Sequence, residues 1–323
     1  MIKHVKTLAA CLSALLLAGC AASSTPAPTT TCYHVAMIAK STSTEFWSAV
    51  FAGAEAAATE YNMDLTITGS EREEDYSSQN DLIEKAVEDG AQAIIFSASD
   101  YQQNAAAIDA AADKGVRIVV VDSAVNSSKV SAYVGADNYG AGQMAAKSAL
   151  ENVEGPLHVG LVNYNVNSPN AQEREKGVVD TLTDSGRAEV AATVYSVATP
   201  ENARAETLTM LARHPEINVL ISFNEAVSVG AAQAVSDLDR ADDLWMVAFD
   251  SNITTVDALH TGAVDAMVVQ NTYGMGYFSV ENAYKLLAGQ GSDVTRETET
   301  ATRIIDRSNI FALDGQKAVF PFE

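Results

Sequence analysis

Cysteine is scarce in this sequence. Three cysteines occur among 323 residues, and two of them, Cys11 and Cys20, lie in the N-terminal segment. Only Cys32 is left for the rest of the chain, so that part can form neither an internal disulfide nor a zinc site built from thiolates. A framework held together by cysteines is therefore excluded.

Basic residues are also few. Lys and Arg number 20 against 42 Asp and Glu, and the formal net charge is -22. A surface this acidic repels phosphate groups, whose attraction to Lys and Arg supplies much of the affinity in nucleic-acid binding. The composition argues against nucleic acid and against an anionic lipid surface as binding partners.

Motifs for catalysis and for cofactor binding are missing as well. The sequence contains no Walker-type phosphate loop, no G-x-S-x-G elbow and no calcium loop of the D-x-[DN]-x-[DN]-G form. The histidines beyond the N-terminal segment do not follow a predicted strand beside a Ser or Cys partner; they are His34, His158, His214 and His260. We predict a protein that is not an enzyme and that holds no metal or other cofactor.

No apolar run is long enough for a confident membrane span. The run at residues 8–17 follows two lysines and precedes small residues, as in an export signal. The motif LAGC that ends at Cys20 resembles the lipobox of bacterial lipoproteins, although an ordinary secretory signal with an incidental cysteine is an alternative. We expect a signal peptide at 1–19, a lipidated Cys20 with a flexible tether at 20–32, and an extracytoplasmic protein anchored to the cell membrane.

Short apolar runs rich in Val and Ile alternate with longer stretches of helical period from Tyr33 onward. Examples of the runs are HVAMIA, QAIIFSA, RIVVVDS and NVLISFN. This alternation is typical of parallel sheets covered by helices on both faces. A strand follows a strand near 131–143, the alternation then restarts, and the chain exceeds the size at which one core stops growing. We predict an α/β fold of two similar, doubly wound parallel-sheet domains.

Polar and aromatic residues come directly after these runs, where open α/β sheets bind their ligands. Phe46 and Trp47 begin the first helical stretch, and later run ends and the helices that follow them carry Asp122, Arg174, Asn224, Asp250 and Gln270. Aromatic faces stack on the C–H face of a sugar ring, while carboxylates, amides and guanidinium groups bind its hydroxyls. The set predicts a binding site for a monosaccharide or polyol. Packing of Trp47 in the core of its own domain is the alternative for that residue.

Several segments resemble, in their order and spacing, the ribose-type periplasmic sugar-binding proteins. The segments are VAMIAKSTSTEFWSAVFAGAEAAA, VVVDS, VGADNYGAG, EREKGV, ISFNEAVSVGA, MVAFDS and MVVQN. The resemblance implies a type I periplasmic binding protein, whose two domains close over a sugar about a hinge of three crossovers. The crossovers would lie near 136, 270–271 and 304–306. The domains would then be 33–136 with 271–304, and 137–270 with 305–323.

The same resemblance implies ligand contacts from the residues named above, and it shows three departures. Thr44 stands where the ribose-binding pattern has Asn, Ser97 replaces an Asn that closes the third strand, and Ser123 replaces an Arg after Asp122. We include these three among the candidate ligand-binding residues. Because the departures remove hydrogen-bonding groups, ribose itself is in doubt, and a different pentose, a hexose, a sugar alcohol or a cyclitol fits as well.

The resemblance also implies a partner, the permease of an ABC importer, with the protein acting as a monomer. One alternative is a receptor whose closed form is read by a chemoreceptor or a kinase, with a furanosyl ligand of the autoinducer type. Uptake and signalling both need only a surface that differs between the open and closed states. A second alternative is an extracytoplasmic glycosidase that uses Asp122 and Asp250 as its carboxylate pair.

Overall fold

The computed structural model describes residues 32–320 of the chain. The predicted signal peptide, Cys20 and the tether up to residue 31 lie outside the described residues. Cys32 is a free, exposed thiol. The described residues form two six-stranded sheets, each flanked by helices.

One sheet and its helices form the first lobe. Its strands, in the order β11-β5-β4-β3-β1-β2, are all parallel. The strands are β1 (His34–Ala39), β2 (Asp64–Gly69), β3 (Ala93–Phe96), β4 (Arg117–Val121), β5 (Ala132–Gly135) and β11 (Glu297–Glu299). The helices that pack on them are α1 (Glu45–Glu60), α2 (Tyr76–Glu88), α3 (Ala105–Asp113) and α9 (Thr272–Leu287), and a 3-10 turn (Gly291–Asp293) follows α9.

The other sheet and its helices form the second lobe. Its order is β12-β10-β9-β8-β6-β7, and its neighbouring strands are parallel except for the pair β10 and β12. The strands are β6 (Leu157–Asn163), β7 (Ala188–Tyr195), β8 (Val219–Ser222), β9 (Trp245–Phe249), β10 (Ala266–Gln270) and β12 (Thr302–Asp306). The helices are α4 (Asn138–Asn152), α5 (Pro169–Ser185), α6 (Pro200–Arg213), α7 (Glu225–Asp237), α8 (Ile253–Thr261) and α10 (Leu313–Val319). The α/β fold class predicted from the sequence is confirmed.

Hydrophobic residues on both faces of the sheets explain why the strands read as continuous apolar runs. In β1, Val35 and Met37 pack into a cluster that contains Trp47 of α1, whereas Ala36 and Ile38 pack into a cluster on the opposite face under α2 and α3. These four residues of β1 are therefore buried whichever way their side chains point. The sheet is the shared wall of two hydrophobic layers.

Close helix packing holds α1 against α9 in the first lobe. A Cβ on Gly53 would collide with the carbonyl oxygen of Tyr273, and a Cβ on Gly276 would collide with that of Val50. Glycine at both positions lets the two backbones touch. Although α9 comes late in the sequence, it is thereby fixed beside the first helix.

Within the described residues, the chain passes between the two sheets after β5, after β10, and between β11 and β12. The first two passages follow Gly135 and Gln270. The third lies between Glu299 and Thr302, a few residues before the expected segment 304–306. The first three residues of β12 already pair with β10 of the second lobe. The spacing of apolar residues in the sequence does not reveal this pairing.

Candidate functional site

Side chains from both lobes line a small cavity. The cavity lies at the carboxyl ends of strands from both sheets, where ligands of open α/β sheets bind. Most of the residues predicted from the sequence line it: Thr44, Phe46, Trp47, Asp122, Arg174, Asn224, Asp250 and Gln270.

Asp122 follows β4 and lies at the meeting point of the two lobes. Its Oδ2 is 3.2 Å from Lys40 Nζ and accepts a hydrogen bond from Ser97 Oγ at 3.1 Å. Its Oδ1 accepts from Asn170 Nδ2 of the second lobe, also at 3.1 Å. The Asp122 side chain is buried, and its charge is therefore balanced and its orientation fixed by neighbouring groups.

Asp250 follows β9 in the second lobe, in the place that corresponds to Asp122. Its Oδ1 accepts from Gln270 Nε2 at 2.7 Å, and its Oδ2 accepts from the backbone N–H of Glu225 at 3.1 Å. Burial raises the pKa of Asp250 above its usual range, although the Arg174 charge and the Gln270 hydrogen bond act in the opposite direction. Gln270 Oε1 is buried and accepts no hydrogen bond from the described residues, so it is a ready acceptor at the cavity wall.

Arg174 projects from α5, and its buried side chain is held in place by neighbouring groups. Its Nε donates to Asn138 Oδ1 at 2.9 Å, and its Nη1 donates to the carbonyl oxygen of Phe223 at 2.6 Å. The guanidinium carbon lies 4.8 Å from the ring centre of Phe249, which adds a cation–π contact. A planar guanidinium fixed in this way at the cavity wall is ready to donate to an oxygen ligand.

The two adjacent aromatics at the start of α1 both touch the cavity. The rings of Phe46 and Trp47 meet edge to face with centres 5.2 Å apart, and the Trp47 indole stacks on Phe51 at 6.0 Å. Trp47 is fully buried and belongs to the first-lobe core, and it also lines the cavity. The core interpretation and the cavity interpretation of Trp47 are therefore compatible.

Ser97 and Ser123 do not line the cavity. Ser97 is buried behind Asp122 and donates to its carboxylate. Ser123 is also buried, and its Oγ has no hydrogen-bond partner among the described residues. The structure brings Ser97 to the site as a support for Asp122 and leaves Ser123 outside the cavity wall.

The candidate ligand-binding residues predicted from the sequence do not include several lining residues, namely Lys40, Glu73, Tyr164, Asn170 and Glu225. Lys40 directly follows β1, and Glu73 lies in the loop after β2. The rule that ligands bind beyond strand ends, applied to every strand, would have included both of these residues. Nothing in the local sequence indicated that Asn170 and Glu225, at the starts of α5 and α7, turn toward the first lobe.

Lys40 and Glu73 place opposite charges on the first-lobe side of the cavity. Burial acts to lower the pKa of Lys40, but Asp122, Tyr164 and Glu73 together outweigh it and the net shift is upward, so Lys40 stays protonated. Burial raises the pKa of Glu73, and the Lys40 charge acts against this shift. The Glu73 carboxylate accepts from Trp47 Nε1 at 3.4 Å and from Asn224 Nδ2 at 3.2 Å, so it links the indole to the second lobe.

The two lobes meet around the cavity through polar contacts. Besides the pairs that join Asp122 to Asn170 and Glu73 to Asn224, the Glu74 carboxylate accepts from the Ala198 backbone N–H at 2.7 Å. Such contacts require the lobes to be close together, so the structure is that of a closed form. No helix among residues 32–320 combines the length and the apolar character needed to cross a bilayer.

A family model described as a periplasmic binding protein domain matches residues 35–291. The chain belongs to this family. Its members are binding proteins rather than enzymes, and the family name places them outside the cytoplasm. The family predicted from the sequence is confirmed.

Individual relatives agree with this assignment. The D-ribose/D-allose-binding protein of Pseudomonas aeruginosa is 30% identical over 121 residues, which cover 38% of each chain. A sugar transporter structure from Clostridium phytofermentans is 30% identical, with a TM-score of 0.76 over 85% of this chain and 99% of that one. A carbohydrate transporter solute-binding protein from Agrobacterium radiobacter, solved with D-arabinose, is 22% identical, with a TM-score of 0.86 over 90% and 99% of the two chains.

Proposed function

We propose that the chain is a lipid-anchored receptor that captures a monosaccharide or related polyol between its lobes and delivers it to an ABC importer. The composition of the cavity carries the proposal. Carboxylates, amides and a fixed guanidinium converge from both lobes beside an indole ring. These groups match the hydroxyl rim and the C–H face of a sugar. The P. aeruginosa relative, which is named for D-ribose and D-allose, supports a ligand of this class.

Binding proceeds by hinge closure. The first lobe contributes Phe46, Trp47 and Asp122, and the second lobe contributes Arg174 and Asn224. When the lobes are apart, each half-site contacts only one side of a ligand. A sugar that contacts both halves stabilises the closed form by the difference in contacts between the two forms. The three passages of the chain between the sheets form the hinge, and the two sheets define the two domains.

The cavity carboxylates bind hydroxyls rather than catalyse hydrolysis. A glycosidase needs one carboxyl group that donates a proton and a second that attacks or activates water. Here the Asp122 oxygens accept from Lys40, Ser97 and Asn170, and the Asp250 oxygens accept from Gln270 and Glu225. Both groups are thus oriented as acceptors.

A ligand screen tests the function directly. The protein without residues 1–19 is heated with single monosaccharides, sugar alcohols and cyclitols, and hits are measured by calorimetry. A true ligand at about 100 times its Kd stabilises the protein by about 2.7 kcal/mol. Mass spectrometry of the denatured protein identifies any ligand that co-purifies. A complete blank in both measurements would contradict the proposal.

Attachment through Cys20 is tested in cells. The wild type should fractionate with membranes and carry an acylated N-terminal Cys20, because a lipid chain is the only anchor we propose. The Cys20→Ser variant should be released in soluble form. Membrane retention of that variant would show that something other than the Cys20 lipid holds the protein.

Signal reception is a second candidate. One structure with the same fold, 26% identical and with a TM-score of 0.79, was solved as the XylFII–LytSN complex. A protein of this fold can therefore form a complex with a second, different protein. Capture of a membrane permease by the ligand-bound protein would favour uptake, whereas capture of a sensor protein would favour signalling.

A further inference from the structure

Helix α1 of the first lobe begins against the second lobe. Its N-cap, Thr44, accepts the Trp47 N–H at 3.3 Å through Oγ1. The N–H groups of Glu45 and Phe46 instead donate to the Glu225 carboxylate, at 3.2 and 2.7 Å. N–H groups in the first turn have no partner within their own helix and lie at the positive end of its dipole. The second lobe thus supplies a charged cap for a helix of the first.

Glu225 is held firmly by its own lobe. Its Oε1 also accepts from Asn252 Nδ2 at 3.0 Å, and its backbone N–H donates to Asp250 at 3.1 Å. The side chain is buried at the cavity wall. Both carboxylate oxygens accept hydrogen bonds from the first turn of α1, so Glu225 joins the second lobe to that helix.

A weaker contact runs in the opposite direction. The Glu45 carboxylate of the first lobe accepts the N–H of Ile253, the first residue of α8 in the second lobe, at 3.4 Å. Glu45 is exposed, so solvent screens this contact. The helix starts that face each other across the cleft are thus both met by a carboxylate from the opposite lobe, and Glu225 provides the stronger contact.

We propose that Glu225 is a positioning residue for closure: it caps α1 only when the lobes are together, and so it stabilises the closed cavity whatever ligand lies inside. This inference rests on the proposed function. Side chains such as Asp122 and Gln270 determine which ligand binds, whereas Glu225 sets the overall affinity through the balance of open and closed forms. When the lobes separate, the carboxylate and both N–H groups return to water.

The Glu225→Gln variant tests this role. The amide lacks the charge and presents an NH₂ group to the helix N–H groups. A charge-assisted hydrogen bond is worth enough that we expect about tenfold weaker binding. The loss should be equal for every ligand found in the screen, with their order unchanged. Unchanged affinity, or a changed order of ligands, would overturn the proposal.

Glu189→Gln is the matched control. It makes the same chemical change at an exposed pair with His158 (2.8 Å) that lies entirely within the second lobe. Its affinity should equal that of the wild type. Glu225→Asp keeps the charge but shortens the side chain, and it should show the same uniform loss. It serves as the second variant if the Gln variant does not fold.

Amide hydrogen exchange with a saturating ligand from the screen provides a second test, because Glu225 reaches helix α1 only in the closed form. In Glu225→Gln, the Glu45 and Phe46 amides should exchange faster than in the wild type by NMR, while the Trp47 amide, which Thr44 caps, should not change. Equal exchange at Glu45 and Phe46 in the two proteins would refute the capping contact. If no compound binds the wild type, the proposed function fails, whereas a compound that binds the wild type and Glu225→Gln equally tightly refutes the role of Glu225 alone.

Discussion

Asp122 and Asp250 share an unusual backbone conformation at the ends of corresponding strands in the two lobes. Their φ angles are 60° and 66°, in the left-handed region. Among residues other than glycine, Asp and Asn adopt this conformation most readily. The chain turns sharply after β4 and after β9, and both carboxylates thereby face the cavity. The same local solution occurs once in each lobe.

Substitutions at Asp122 separate backbone strain from lost charge. Asp122→Asn and Asp122→Ala both leave Lys40 without its ion pair, so both should lose ligand binding. Only Asp122→Ala also forces a poorly suited residue into the left-handed region, which costs about 1 to 2 kcal/mol. Denaturant unfolding should therefore show a lower free energy of unfolding for Asp122→Ala than for Asp122→Asn. Equal stability of the two variants would show that the backbone there is not strained.

The raised pKa of Asp250 predicts a pH effect on stability. Because folding raises this pKa, the folded protein binds the proton more tightly than the unfolded chain, and stability from this group increases as pH falls toward the ordinary aspartate range. The Asp250→Asn variant cannot take up the proton. The difference in unfolding free energy, wild type minus variant, should therefore increase as the pH is lowered from about 7 to about 4. A difference that falls on acidification would contradict the raised pKa.

At the scale of elements, the close contact between α4 and α5 positions Arg174. A Cβ on Gly142 would collide with the Arg174 carbonyl oxygen, and a Cβ on Gly177 would collide with that of Tyr139. The glycines thus serve close packing, as Gly53 and Gly276 do between α1 and α9 in the other lobe. The depth at which α5 sits decides whether the guanidinium reaches the cavity.

Enlarging Gly177 should therefore affect both stability and binding. Gly177→Ala pushes α5 away from α4, which we expect to cost about 1 to 3 kcal/mol in denaturant unfolding. It should also weaken ligand binding, because Arg174 moves with the helix. Gly291→Ala is the matched control, since a Cβ there meets only Leu286 at 4.0 Å. If Gly177→Ala binds ligand as tightly as the wild type, the contact between α4 and α5 does not control the position of Arg174.

At the scale of the whole molecule, the cavity is acidic like the rest of the chain. Four carboxylates line it, those of Glu73, Asp122, Glu225 and Asp250, against the two cations of Lys40 and Arg174. An anionic ligand would bring another negative charge into a buried site that already has an excess of them.

Neutral sugars should therefore bind better than sugar acids. By calorimetry, an aldose that binds should do so at least about tenfold more tightly than the corresponding uronic acid, which corresponds to about 1.4 kcal/mol. Glu73→Gln should narrow this gap, because it removes one of the carboxylates. Tighter binding of the acid would show that Lys40 and Arg174 dominate the field in the cavity.

The strand-end rule explains which site residues could be predicted. Asp122, Asn224, Asp250 and Gln270 each end or follow a buried apolar strand, and parallel strands place these ends at one edge of a sheet. Asn170 and Glu225 were not predicted, because nothing in the local sequence shows that their side chains meet the opposite lobe, at Asp122 and at the start of α1 respectively. Ser97 matched the strand-end pattern, yet its side chain turns to Asp122 and not into the cavity.

The sequence by itself determined the α/β architecture, the family and the edge of each sheet where the cavity lies. The architecture and the sheet edges follow from local hydrophobic period and strand direction, which depend on residues close together in the chain. The family follows from the resemblance of several segments in their order and spacing. Only the tertiary structure decided which of these edges face each other, how Glu225 reaches helix α1 and how Lys40 pairs with Asp122. The first two depend on the relative placement of the two lobes, and the third joins the ends of β1 and β4 within the first lobe. All three bring together residues that lie far apart in sequence, and no local pattern encodes such contacts.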